Sequence, residues 1–177
     1  LGAIKIKSND VFLVPSDSDF PCSNWLVEEG WTHCLKKEIP APGYLELKTP
    51  LINNENGSYT IEYDILGLIY WMLSRLEEVD SSNLDEYSRF PAAASHGFKH
   101  DYIERPIVDE WINILTQVMR KTWPEVCFIS HLFQMKVSHD VDIPSRYMFQ
   151  GFYGVVRRMA SDIIKYGDLQ GAIRGFV

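Results

Sequence analysis

The sequence predicts an α/β (or α+β) fold, and three observations carry that expectation. Short apolar or alternating runs read as strands, and two longer runs carry apolar residues at helical spacing. Clusters of Pro, Gly, Asn and Asp separate them. Apolar residues make up 46% of the 177 residues and aromatics 13%, enough for a packed core. That length suits one domain, or one domain and part of another. Residues 1–128 read as an N-terminal mixed domain and residues 129–177 as the start of a second unit.

In chain order, Ile4-Lys5-Ile6-Lys7 alternates as a half-buried strand does, and Val11-Phe12-Leu13-Val14 is a compact apolar run before Pro15. Residues 15–24 are rich in Ser, Asp and Pro and read as loop. Pro40, Pro42, Gly43 and Pro50 punctuate the next stretch. The run Asn53 to Gly57 is a turn signal, with Asn-Gly favouring a tight hairpin bend, and Tyr59 to Tyr63 alternates as the following strand. Asp64 is placed to cap a helix over 65–78 that is apolar nearly all round, which predicts burial on more than one side. Gly67 in that helix allows close approach of a neighbour. A polar loop spans 80–89. Pro106 opens a second helix, over 106–121, with a stripe of Ile107, Trp111, Ile114, Leu115, Val118 and Met119. Trp123-Pro124 ends it. A strand is expected over Phe133 to Val137, then a last helix with Phe152, Val155, Val156, Met159, Ala160 and Ile163 on one face. The two helices of the first part are expected to pack on a sheet built from the strands near 4–14 and 59–63.

Charge and cysteine usage narrow the function. The net charge of −7 argues against a nucleic-acid partner and leaves no basic stripe for an anionic membrane surface. The longest apolar stretch, Ile65 to Leu73, is shorter than the ~20 residues a bilayer span requires. Cys22, Cys34 and Cys127 are odd in number and form no C-x-x-C pair, so a reducing, cytoplasmic setting is expected. The first residue is Leu1, which reads as a processed or trimmed end.

The sharpest chemical feature is Ser138-His139-Asp140-Val141-Asp142-Ile143-Pro144. Residues two apart on a strand share a face, so Asp140 and Asp142 point the same way if the strand persists. Two such carboxylates repel, and a divalent cation relieves that repulsion. One Asp then holds the metal and the other takes a proton from water. The plainer reading is a solvated strand end that caps the next helix. His139 faces away from both in a strand and reads as a rim or core histidine, or as a supporting polar group. His96 and His100 share a helical spacing, but Gly97 between them weakens a helix. A polar loop is the stronger reading there, and a metal role the weaker.

The stretch Phe133 to Pro144 resembles the first motif of the polysaccharide deacetylases, the NodB-homology family of carbohydrate esterases. Asp64-Ile65-Leu66-Gly67 through Arg75-Leu76-Glu77-Glu78, Arg89-Phe90-Pro91 and Arg105-Pro106-Ile107-Val108-Asp109 resemble the segment that precedes the catalytic barrel in some bacterial members. The resemblance implies that residues 129–177 begin an incomplete (β/α) barrel, with Asp140 as catalytic base and Asp142 as metal ligand. It implies a divalent metal, zinc or similar, in the complete enzyme, and acetylated carbohydrate as the partner. That family completes its metal site with two His four residues apart, and no His follows His139 here. Catalytic zinc typically has three protein ligands. The chain alone is therefore expected to bind metal weakly and to be inactive. The alternative is a stand-alone carbohydrate-binding or regulatory module that keeps a vestigial motif.

Overall fold

The computed structural model describes residues 2–15, 20–129, 132–140 and 151–167. Contacts divide the chain into two compact units, Leu1–Phe128 and Ile129–Val177. The first is mixed α and β, with two small sheets and three α-helices among the described residues.

The first sheet has the order β1-β5-β4. Strand β1 (Ile4–Ile6) runs parallel to β5 (Ser58–Ile61), and β5 runs antiparallel to β4 (Ile52–Glu55). Asn56 and Gly57 form the two-residue bend between β4 and β5, with φ of 52° and 81°. That pair of positive φ values belongs to the tight hairpin turn that Asn-Gly favours. The apolar run after β1 is not a strand. Residues Asp10–Leu13 form a 3-10 turn, because the Asn9 side chain accepts from the Val11 amide and starts a turn instead. Only Phe12 of that run is fully buried, while Leu13 and Val14 are exposed.

The second sheet is a hairpin of β2 (Cys22–Leu26) and β3 (Glu38–Pro42). Both strands lie where the sequence reads as loop or as proline punctuation. The hairpin register explains how prolines enter it. Gly43 N–H donates to the Pro21 carbonyl and Val27 N–H to the Lys37 carbonyl, each at 2.8 Å. Glu38, Pro40 and Pro42 therefore occupy the positions whose backbone groups face away from β2, where no ladder donor is lost. Their outward carbonyls are all taken by side chains. Arg105 Nη2 donates to Glu38, Trp111 Nε1 to Pro40 and Tyr63 Oη to Pro42, at 2.9, 2.8 and 3.1 Å.

Helix α1 (Ile65–Leu73) starts at Asp64, whose Oδ1 accepts from the Gly67 amide at 2.8 Å. It is shorter than the periodicity predicts. Arg75 adopts left-handed backbone with φ of 53°, and a separate 3-10 turn, Leu76–Glu78, follows. It also buries one face only, Ile65, Leu68 and Trp71, leaving Leu66, Tyr70 and Leu73 exposed. Gly67 sits where a Cβ would collide with the Asp64 carboxylate and the Phe12 ring, so the close approach is made within the domain. A one-turn helix, α2 (His96–Lys99), precedes α3 (Ile107–Thr122). Helix α3 buries Ile107, Glu110, Trp111, Ile114 and Val118 along one face and packs against α1, β1, β3 and β5.

Aromatic rings make up much of the core. Trp111 stacks between Trp25 and Tyr63, with centroids 5.5 and 4.3 Å away. Phe12, Phe20 and Trp71 form a second group. Fully burying a Phe-sized side chain contributes roughly 1.5–3 kcal/mol, so these two groups account for a large part of the stability.

In the second unit, residues 132–140 carry no regular secondary structure and are exposed, so the strand expected over Phe133 to Val137 is absent. Helix α4 (Phe152–Tyr166) forms where its spacing predicts. Of its apolar face Val155 is buried, whereas Phe152, Val156 and Ile163 are exposed. No closed barrel is present among the described residues. Nor is any helix among them long and apolar enough to cross a membrane.

Candidate functional site

The acidic motif is only partly described. His139 and Asp140 are exposed on irregular backbone, so the strand expected to carry the acidic pair is not present at Asp140. Asp142 lies outside the described residues. Among those described, no three His, Cys, Asp or Glu side chains come together in a way that would hold a metal ion. The described part of the motif does not by itself make up a metal site.

The histidine pair has a structural role at His96. Its ring is fully buried on α2, which the Ser95 hydroxyl caps by accepting from the Phe98 amide. His96 Nε2 lies 2.9 Å from the Phe20 carbonyl, which only accepts, so Nε2 carries the proton. Nδ1 then accepts from the Tyr102 hydroxyl. Both ring nitrogens are engaged within the core, and the His100 ring lies against it, tilted by 35°, with centroids 4.2 Å apart. The polar loop expected here is thus a capped turn around a buried imidazole. Gly97 fits it because its α-carbon backs closely onto Tyr102 and Ile103.

Around this cluster, segments distant in sequence converge. A cleft of about 360 Å³ is lined by Trp71, Arg75, Glu77, Glu78, Phe90 and Arg105, among others. The three stretches ahead of the acidic motif, at 75–78, 89–91 and 105–109, each place a residue on it. Burial raises the Glu77 carboxyl above its ordinary range, and its Oε2 accepts from the His96 amide at 2.9 Å. Arg75 pairs with Glu78. Arg105 Nη2 lies 2.8 and 2.9 Å from the two oxygens of buried Glu110. Two donors among the cleft residues, Trp71 Nε1 and Arg105 Nε, are buried without a hydrogen-bond partner among the described residues. Such groups cost free energy unless something satisfies them. The arrangement offers apolar rings beside carboxylate acceptors and guanidinium donors.

Arg75 to Glu78, Phe90 and Arg105 stand in the sequence as separate pieces of the resemblance, and the structure brings them to one cleft. The His96–Tyr102 contact and the burial of Glu110 are not directly legible in the sequence. The available signal for Glu110 was a lone acid on the apolar stripe of α3, five positions after Arg105.

A model for a family of unknown function (DUF7033) matches residues 2–124. No curated protein and no solved structure matches the chain.

Proposed function

This chain belongs to the DUF7033 family, and we propose that it is the N-terminal part of a metal-dependent polysaccharide deacetylase-like hydrolase acting on acetylated carbohydrate. The observation that supports the reading is the run Ser138-His139-Asp140-Val141-Asp142-Ile143-Pro144, set after a unit that ends at Phe128. In this reading the first unit is an accessory domain. Asp140 is the base that accepts the proton of the attacking water, and Asp142 is assigned to the divalent ion. An exposed carboxylate suits a base that must reach water. Neither residue completes the machinery, so the 177-residue chain alone is inactive.

The test is acetate release from N-acetylated chito-oligosaccharides and acetylated xylan, with zinc or cobalt supplied. The 177-residue chain is compared with a protein extended along its natural reading frame. The short chain is expected to be inert. The extended protein is expected to be active and to lose at least ~10³-fold activity on Asp142→Ala. Metal-dependent release by the short chain, or an extended protein inert with every metal, overturns the reading.

A further inference from the structure

We propose that the cleft between the 75–78 turn and the 90–105 segment of the first unit is a binding site for a neutral saccharide chain. Charge selects the ligand class. Arg75 is neutralised by Glu78 and Arg105 by Glu110, leaving no surplus cation for a phosphate, sulfate or nucleotide. Glu77 adds a carboxylate, which repels anions and accepts from hydroxyl groups. Phe90 is half-buried, and Ile103, at 50% exposure, presents apolar surface beside it. Sugars bring an apolar ring face together with a rim of hydroxyls, and this lining offers a surface for each. Arg105 and Trp71 belong to the same lining, and their Nε and Nε1 donors are buried without a hydrogen-bond partner among the described residues.

The shape favours a chain over a single ring. A second cleft of about 420 Å³ shares Ile103 and Arg105 with the first and continues past Phe98, where Asp101 and Glu104 outnumber the added cation, Lys36. The two clefts thus flank the Ile103–Arg105 segment, and an extended ligand crosses it. The inference stands on this lining alone and needs neither Asp140 nor Asp142.

The 177-residue chain is tested by titration calorimetry against pentamers of β-1,4-linked N-acetylglucosamine, glucose and xylose, with ATP and inorganic phosphate as anionic probes. At least one neutral pentamer is expected to bind. Phe90→Ala and Ile103→Glu are each expected to weaken it tenfold or more. Ile103 is half exposed, so its substitution leaves the core intact, and near-ultraviolet circular dichroism checks this for both variants. Asp140→Ala is expected to bind as wild type, which separates this site from the hydrolase reading. Three outcomes overturn the proposal. They are no binding to any of the three pentamers, binding that survives both Phe90→Ala and Ile103→Glu, and tighter binding of ATP or phosphate than of every pentamer.

Discussion

The Asp64 carboxylate joins two segments that are 55 residues apart. Its Oδ2 accepts from the Asn9 backbone amide at 2.7 Å, and its Oδ1 caps α1 through Gly67. Asn9 in turn donates through Nδ2 to the Gly43 carbonyl at 3.0 Å. One buried side chain thus fixes the exit of β1 to the entry of α1. Asp64→Ala removes a helix cap and strands the Asn9 donor, an expected loss of about 1–3 kcal/mol. Urea unfolding followed by circular dichroism reads it. An unchanged midpoint would show that the Asn9 amide finds another partner.

Glu110 and Arg105 make a second tie, from α3 to β3. Glu110 is 1% exposed and the Arg105 side chain 14%, so Glu110→Ala leaves a largely buried guanidinium without its carboxylate. The expected cost is about 3–5 kcal/mol. Replacing both by apolar residues, Arg105→Met with Glu110→Leu, is expected to recover most of that loss. A double variant no more stable than Glu110→Ala would mean that the Arg105 bond to the Glu38 carbonyl is the larger contribution.

Helix α1 separates buried from exposed apolar positions. Leu68→Ala is expected to cost about 2–5 kcal/mol through the cavity it leaves. Leu73→Ala, at a site 71% exposed, is expected to change stability by no more than about 0.5 kcal/mol. Equal losses at the two sites in thermal melts would place Leu73 in an apolar contact.

Glu77 gives a pH dependence with a defined sign. Burial raises its carboxyl in the folded state above the ordinary 4.5. The folded chain therefore holds this proton more tightly than the unfolded chain does. The contribution is present below 4.5 and is lost as pH rises through the raised value. Glu77→Gln keeps an acceptor for the His96 amide and removes the titration. Stability of the variant relative to wild type is expected to grow from pH 4 to pH 7 in paired urea titrations. A difference that is flat or shrinks with pH would contradict the assigned cause.

Legibility in the sequence followed from how local each determinant is. The Asn56-Gly57 bend, the Asp64 cap and the stripe of α3 rest on residues within one turn of each other, and the structure bears them out. The hairpin of β2 and β3 was hidden because prolines ordinarily argue against strands. Its register, which makes them harmless, depends on pairing across eleven intervening residues. The end of α1 was hidden too, since Arg75 in left-handed backbone has no local signature. The cleft depends on three segments, at 75–78, 89–91 and 105–109, and spacing alone says nothing about their meeting.

The outward side of β3 has a consequence for how the chain keeps to itself. An unpaired strand border normally offers a row of donors and acceptors to any passing extended peptide, which is how sheets recruit foreign strands and begin fibrils. On this border two of the donors do not exist, because Pro40 and Pro42 have no N–H, and the acceptors of Glu38, Pro40 and Pro42 are held by Arg105, Trp111 and Tyr63. A stray β-segment arriving there finds the Glu38 N–H as the one ladder donor of these three positions. The tripled cover closes the β3 border of the two-stranded sheet to strand addition.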